Sequence, residues 1–342
     1  MPILLSRRIY TYVPTRHIMF VQHNFSLLLY AKQQVTRNKT FFSTTSSTAT
    51  SSTNKTKPKS KYAIVDEQDA NHYSNNTLAS IKNALSNMNL SVTADPTSFN
   101  FVDQFHLGGV LATLQLLEQL NLRQTPHTLL DVGCGLGGSA RLAATEYGCD
   151  VIGLDLTADY IATANFINKI PSVKAILNKS EVKHFVCDVT DMSSIISSSS
   201  VDSAMLIHVG MNICDKNKLA SEIFRVLRPN GRLALFDIML APTASPSNLL
   251  FPLPFASCPS SAHVDTELVY TKAFTQNGFV LQSSYDKTSF CLDYIEKSSP
   301  PPTPLNLTMC MGSATKEKMR NVKKLLQSSV LVPIQQVYEK PP

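Results

Sequence analysis

Three glycines alternate along one short segment, close behind an acidic residue and a run of apolar ones. The segment reads LLDVGCGLGGSA over residues 129–140. Apolar residues, then glycines, then small helix-forming residues predict a buried strand that turns tightly into a helix. Glycine lets the backbone approach a ligand at such a turn, and the helix N-terminus offers free amide groups. The pattern therefore indicates a site for a nucleotide-like cofactor.

Two classes of cofactor satisfy the glycine spacing. Gly133, Gly135 and Gly138 fit the G-x-G-x-x-G pattern of dinucleotide-binding folds, and Asp155 lies twenty residues beyond Gly135. This spacing alone permits a nicotinamide-dependent oxidoreductase. Asp131, however, stands two residues before Gly133. Its carboxylate would repel a pyrophosphate, whereas it would attract the amine and the sulfonium of S-adenosylmethionine.

Further features favour S-adenosylmethionine. Gly137 extends the alternation to G-x-G-x-G, and Asp188 ends a predicted strand where its carboxylate would accept a hydrogen bond from an adenine amino group. The segment FRVLRPNGRL at residues 224–233 resembles the turn before the fifth strand of class I methyltransferases. Together with Asp131, these features predict S-adenosylmethionine as the cofactor.

The elements that must position these residues alternate along the chain. Strands are predicted at 128–132, 150–155, 182–187, 202–208, 232–238, 280–289 and 330–338, and helices at 76–89, 109–120, 138–147, 158–170, 216–227, 265–276 and 316–327. Such alternation with near-continuous apolar strands predicts an α/β fold whose mostly parallel sheet is covered by helices on both faces. Residues 241–261, rich in proline and serine, are predicted to form a long loop over the active-site mouth.

Several segments together carry a closer resemblance to a known family. They are DQFHLGG at 103–109, the glycine-rich core, GLDLT at 153–157 and HVGMNI at 208–213. They resemble the type 11 small-molecule group of class I S-adenosylmethionine-dependent methyltransferases, and are similar to sarcosine/dimethylglycine N-methyltransferases. The resemblance spans residues 76–340. It implies a Rossmann-like fold with a seven-stranded sheet and a helical N-terminal lid.

The resemblance also implies the residues of the cofactor site. They are Asp131, Gly133, Gly135, Gly137, Asp155, Leu156, Asp188, Val189 and His208. Asp155 would bind both ribose hydroxyls, Asp188 the adenine amino group and Asp131 the amine of the cofactor. Each carboxylate has a structural alternative, which is a helix cap for Asp155 and Asp188 and a backbone-bonded acid for Asp131.

Two histidines are the candidates for catalysis. His208 ends the fourth predicted strand, where it would line the acceptor site as a base or substrate contact. Its alternative is a histidine bonded to a neighbouring backbone carbonyl. His106 lies in the DQFHLGG segment and is expected to belong to the lid, or otherwise to precede the helix from Gly109. The eight histidines and seven cysteines show no paired metal-ligand spacing, so no metal site is predicted.

The implied reaction is methyl transfer to a small molecule. An amine nitrogen is the acceptor that the sarcosine-like relatives suggest. A quinone-like or lipid acceptor, methylated on carbon or oxygen, is the first alternative. A non-catalytic organellar assembly factor that binds the same cofactor is the second. We expect a monomer or a homodimer.

The beginning of the chain differs in composition from the rest. It has ten lysines and arginines and no acidic residue before Asp66, and residues 44–56 are almost entirely Ser, Thr, Ala and Asn. This predicts a mitochondrial targeting leader over residues 1–60, with a plastid or cytoplasmic location as alternatives. Residues 61–100 are predicted to be a linker with a short helix, and residues 101–342 the methyltransferase domain.

The charge balance of the remaining chain limits its partners. It keeps 21 of the 31 basic residues and all 25 acidic ones, a net charge of −4. A mildly acidic domain gives no support for nucleic-acid binding. No apolar run in the leader is long enough to span a membrane.

Overall fold

Seven strands form a single sheet in the computed structural model, which describes residues 76–123, 126–177, 179–298 and 303–342. The strands are β1 Thr128–Val132, β2 Asp150–Asp155, β3 Val182–Val186, β4 Val201–Ile207, β5 Leu227–Leu240, β6 Val280–Asp286 and β7 Leu331–Glu339. Their order is β3-β2-β1-β4-β5-β7-β6. β7 pairs antiparallel with β5 and with β6, and the other pairs among these strands are parallel. The predicted α/β, Rossmann-like fold with a seven-stranded, mostly parallel sheet is confirmed. The predicted leader at 1–60 lies outside the described residues.

Helices connect the strands and cover the sheet. They are α1 Thr77–Asn87, α2 Asn100–Asp103, α3 Gly109–Leu117, α4 Gly138–Tyr147, α5 Ala158–Asn168, α6 Pro171–Ile176, α7 Lys216–Val226, α8 Glu267–Gln276, α9 Thr288–Lys297, α10 Thr308–Met311 and α11 Thr315–Gln327. Successive residues of β1 enter different hydrophobic clusters, Leu129 the first and Leu130 the second. Because side chains alternate across a strand, the two clusters lie on opposite faces of the sheet. The sheet is therefore buried on both sides.

The folded unit begins earlier than the sequence predicts. Residues 61–100 are predicted as a linker with a short helix, but α1 packs into the first hydrophobic cluster, with Ile81 and Leu85 fully buried. The Thr77 backbone N–H donates to Asp159 Oδ2 at 2.7 Å, which ties α1 to α5. The boundary predicted at residue 101 is therefore corrected, because α1 contributes its apolar face to the core of the same domain.

Two predicted strands also change length. The strand predicted at 280–289 ends at Asp286, whose carboxylate accepts the Thr288 N–H at 2.7 Å as α9 begins. The strand predicted at 232–238 is the middle of the longer β5. There Val201 pairs with Leu227, and the next paired residues skip ahead to Ser203 and Arg232, so residues 228–231 bulge out of the ladder.

Candidate active site

A cavity of about 710 Å³ lies at the carboxyl ends of the parallel strands. The strand order reverses between β1, which continues to β2 and β3, and β4, which continues to β5. Ligands of open α/β sheets bind at such a reversal, outside the carboxyl ends of the strands. Asp131, Asp155 and His208 all line the cavity from these strand ends. The fold thus brings together residues that are up to 77 positions apart in the sequence.

The glycine turn after β1 forms the floor of the cavity. Gly133 has φ +75°, a left-handed conformation, and a Cβ atom there would lie 2.3 Å from the Val209 side chain. Gly133 and Gly135 both line the cavity. Gly137 does not, because it lies at the N-terminal cap of α4 with the buried His184 ring against it. Because Gly137 has no Cβ, the His184 ring can pack against the start of α4.

Asp155 is bonded to the glycine turn. Its Oδ2 accepts the Gly135 N–H at 2.9 Å, and its Oδ1 accepts the Thr157 N–H at 2.8 Å. Burial raises the pKa of the Asp155 carboxyl, while these two backbone hydrogen bonds oppose the rise. Each oxygen keeps a second lone pair that can accept from a ligand hydroxyl. The carboxylate therefore fixes the turn and remains available to the cavity.

Asp131 lines the cavity with a carboxyl whose pKa is strongly raised. It is 2% exposed, and its Oδ2 has no hydrogen-bond partner within the part of the chain that the structure describes. Burial, and then the charge of Asp155, raise the pKa of Asp131 to about 8. A buried carboxylate oxygen without a partner is unfavourable unless a ligand satisfies it. The site therefore favours a cationic hydrogen-bond donor beside Asp131.

Asp188, Leu156 and Val189 line the same side of the cavity. The Asp188 Oδ1 accepts both the backbone N–H and the hydroxyl of Thr190 at 2.8 Å. These contacts close a local turn and not the helix cap that was the alternative for Asp188, because no described helix lies between β3 and β4. The roles of these residues in cofactor binding stay predictions.

The rings of the two candidate histidines lie beside each other, edge to face, at the cavity. Their ring centroids are 5.9 Å apart, and the His208 ring lies 5.0 Å from that of Phe236. His208 Nε2 is buried, and no described residue hydrogen-bonds to it. Burial, and then the proximity of His106, hold the pKa of His208 well below 6.5. His208 is therefore neutral at pH 7.

The hydrogen bonds of His106 define its tautomer. Its Nε2 lies 3.2 Å from the Gly109 carbonyl and 3.0 Å from Thr113 Oγ1. The Thr113 hydroxyl donates its proton to Gln104 Oε1 at 2.8 Å, and a carbonyl can only accept. Nε2 must therefore carry the proton of His106, which leaves Nδ1 as an acceptor. Burial lowers the pKa of His106 to about 4, so this neutral form persists at pH 7.

The segment that carries His106 covers the glycine turn. Phe105, His106 and Leu107 all line the cavity. A Cβ atom on Gly135 would lie 2.9 Å from the Phe105 ring, so this ring rests on the turn. The segment is anchored by a buried ion pair, Asp103 to Arg141, at 2.6 Å. This is the position predicted for the lid.

One residue that shapes the site was not predicted from the sequence. Lys216 is 3% exposed at the start of α7, and its Nζ donates to the carbonyls of Ile213 at 2.6 Å and His263 at 2.8 Å. It also forms an ion pair with Asp265 at 2.9 Å. Ile213 and His263 line the cavity from two separate loops, so Lys216 holds both loops in place. A lysine beside an aspartate N-cap ordinarily indicates an exposed helix start, so no sequence signal marks this role.

Among the residues that the structure describes, no helix is long and apolar enough to cross a membrane. No group of three or more His, Cys, Asp or Glu side chains in the same ranges is placed to hold a metal ion.

Part of this chain is similar in sequence to known methyltransferases. Residues 130–235 match a family model described as a methyltransferase domain. A 2-methyl-6-phytyl-1,4-hydroquinone methyltransferase of Synechocystis sp. is 34% identical over 110 residues, which are 32% of this chain and 31% of that protein. Phosphoethanolamine N-methyltransferase 2 of Caenorhabditis elegans is 29% identical over 128 residues, 37% of this chain and 28% of that protein. The chain thus spans about three tenths of the length of these two relatives.

A solved structure has the same fold. It is geranyl diphosphate C-methyltransferase from Streptomyces coelicolor A3(2), in complex with Mg²⁺, geranyl diphosphate and S-adenosyl-L-homocysteine. The TM-score is 0.54 at 20% sequence identity, and the match covers 67% of this chain and 79% of that one.

Proposed function

We propose that this chain, which carries a methyltransferase domain within a class I methyltransferase fold, transfers a methyl group from S-adenosylmethionine to a small-molecule acceptor. The observation that carries the proposal is the buried carboxyl of Asp131, whose Oδ2 lacks a partner among the described residues at the edge of the glycine turn. A ligand amine would satisfy this oxygen by a charge-assisted hydrogen bond.

The residues of the cavity fit this cofactor. When bound, S-adenosylmethionine supplies a methyl group that its sulfonium makes electrophilic. Asp131 would hold the amine, Asp155 the ribose hydroxyls and Asp188 the adenine amino group. A pyrophosphate would meet the carboxylates of Asp131 and Asp155 instead of a basic group, which disfavours a dinucleotide. The glycine turn gives the ligand close access to the backbone.

The chain's own part in the reaction is to orient the acceptor, exclude water and accept a proton. Holding two reactants in line supplies about 7–11 kcal/mol of a displacement barrier. His106 has an unprotonated Nδ1, the His208 ring is neutral, and both residues line the cavity. They are the candidates to take a proton that the acceptor loses, because a neutral imidazole nitrogen can act as a general base.

Thermal unfolding of the full chain with and without ligand tests the proposal. S-adenosylhomocysteine at one hundred times its Kd should raise the free energy of unfolding by about 2.7 kcal/mol, whereas NADH should have no effect. Stabilisation by NADH alone would show that the cofactor is a dinucleotide. Stabilisation by S-adenosylhomocysteine without transfer of label from methyl-labelled cofactor into an organelle extract would instead support a non-catalytic assembly factor.

We also propose that residues 1–60 direct the protein to mitochondria. The support is compositional, because basic residues without acidic ones, together with many serines and threonines, are typical of organelle leaders. Residues 1–60 fused to a fluorescent protein should carry it into mitochondria. A fusion that stays in the cytoplasm or enters plastids would contradict the proposal.

A further inference from the structure

The charged residues that line the cavity are confined to one part of it. Among the described lining residues they are Asp103, Asp131, Asp155, Asp159 and Asp188. Asp103 lies in α2, Asp159 lies in the first turn of α5, and the other three lie at the ends of β1, β2 and β3. We call this part the donor half, because it holds the predicted cofactor site. From Ile207 onward, no described lining residue is an Asp, Glu, Lys or Arg.

The remainder of the cavity, which we call the acceptor half, is mainly apolar. It comes from the ends of β4 and β5, the loop after β5 and helices α9 to α11. Its apolar side chains include Met211, Ile238, Phe255, Leu307, Met311 and Val322. Such a surface binds apolar groups because it releases water from both partners. Unbranched methionines also adapt to ligands of differing shape.

None of the polar groups of the acceptor half belongs to a lysine or an arginine. They come from His208, Asn212, Ser261, His263 and Tyr294. The pKa of His208 lies well below 6.5, so the imidazole does not become a cation at pH 7. These groups can donate or accept single hydrogen bonds, which suits a hydroxyl, carbonyl or amine of an otherwise apolar molecule.

Three buried cations near the cavity already have partners within the protein. Lys216 directs its Nζ to two backbone carbonyls and Asp265, and Arg141 is paired with Asp103. Lys318 donates to the Met311 carbonyl at 2.9 Å. None of the three lines the cavity. Proteins bind phosphate and carboxylate groups through basic side chains, helix N-termini or a metal ion. No helix of eight or more residues begins at a described lining residue of the acceptor half. Burying an anion without any of these partners is strongly unfavourable. No cluster of metal-binding side chains occurs among the described residues.

We infer that the methyl acceptor is a largely apolar molecule that carries no phosphate or carboxylate group. The inference rests on the proposed function, because it concerns the second half of the same cavity. It favours the quinone-like or lipid alternative over a sarcosine-like amino acid. It also separates this chain from the structurally similar methyltransferase, which was solved with Mg²⁺ and geranyl diphosphate.

A matched pair of ligands tests the inference on the full chain saturated with S-adenosylhomocysteine. The uncharged dye N-phenyl-1-naphthylamine should become more fluorescent in the acceptor half. Geraniol should displace it at a concentration at least tenfold lower than geranyl phosphate, with Mg²⁺ present throughout. Equal or stronger displacement by geranyl phosphate would overturn the inference, and so would a dye that does not bind.

A charge variant gives a second readout. Met319 lies on α11 and lines the acceptor half, so Met319→Lys should lower the concentration of geranyl phosphate needed for displacement at least fivefold. Met88→Lys is the matched control, because Met88 is partly buried outside the cavity. This variant should leave the concentrations of geraniol and geranyl phosphate needed for displacement unchanged. If Met319→Lys needs the same or a higher concentration of geranyl phosphate for displacement, the acceptor does not bind beside Met319. Loss of stabilisation by S-adenosylhomocysteine in the wild type would refute the proposed function itself, which separates the two failures.

Discussion

Replacing Asp131 by asparagine tests the electrostatics of the site most directly. The residue is 2% exposed, and burial together with Asp155 raises the pKa of its carboxyl from 3.8 to about 8. At pH 7 the group is therefore mostly neutral in the folded protein and ionised in the unfolded chain. Because the folded-state pKa is the higher one, its contribution to stability is complete below about pH 4 and is lost as the pH rises to about 8.

The size of this effect follows from the same pKa values. Between the two pKa values, each pH unit lowers the free energy of unfolding by about 1.4 kcal/mol. From pH 5 to pH 7 the wild type should therefore lose about 2.7 kcal/mol through Asp131. Asp131→Asn cannot ionise and should lack this loss. Other titrating groups contribute to both proteins, so the difference between the two pH dependences isolates Asp131.

Urea unfolding at pH 5 and pH 7 measures the stability difference, and calorimetry at pH 7 measures S-adenosylhomocysteine binding. Ionising Asp131 at pH 7 costs about 1.4 kcal/mol of the roughly 1.5–3 kcal/mol that a charge-assisted hydrogen bond supplies, so Asp131→Asn should weaken binding by up to about tenfold. Asp293→Asn is the control, because Asp293 is exposed on α9 outside the cavity, and it should change neither quantity. Equal pH dependence of wild type and Asp131→Asn would refute the reasoning, since Asp131 would then be ionised in the folded protein. Normal binding by Asp131→Asn would refute its contact with the amine.

Three further changes have defined outcomes. Asp155→Asn should weaken S-adenosylhomocysteine binding at least tenfold by calorimetry and destabilise the turn, because an amide oxygen alone cannot replace both carboxylate oxygens; unchanged affinity would exclude the ribose role. Lys216→Met should lower the free energy of unfolding by about 2–4 kcal/mol in urea, because it leaves Asp265 and two carbonyls unpaired; a change under about 0.5 kcal/mol would contradict its holding the two loops. The ring proton signal of His208, identified by its loss in His208→Gln, should not titrate between pH 8 and pH 6; a midpoint at the ordinary histidine value would show that the ring is not desolvated.

The donor half could be predicted from the sequence because its signals are local. The predicted bounds of β1, β2 and α4 agree with the structure, since Asp131, the glycine turn and Asp155 interrupt apolar runs within a few residues. Asp131 and Asp155, which lie at the ends of β1 and β2, also line the cavity. The residues that mark the ends of the strands therefore also mark the site. Gly137 is an exception, because it was predicted to line the site but packs against His184. The sequence does not distinguish the two cases, since a close ligand and a close side chain both favour glycine.

The acceptor half could not be predicted because its residues meet only in the folded chain. Met211 and Val322 line one cavity although 111 positions separate them. Apolar side chains at such positions resemble ordinary core residues in any sequence pattern. Lys216 is similar, since its burial depends on two loops that arrive from distant parts of the chain. These features depend on long-range packing, so no local residue pattern in the sequence predicts them.

The position of β7 has a consequence for how the protein can be made. β7 pairs with β5 over nine residue pairs, and β7 is the only strand beside β6 among the described residues. A chain that has been synthesised only as far as α11 therefore has β6 without a partner and β5 with an open edge. Unpaired edges of this kind invite pairing with other chains and aggregation. Completion of the sheet must wait until the ribosome has delivered residues 331–339, so fragments that stop before Leu331 should require a chaperone to remain unaggregated.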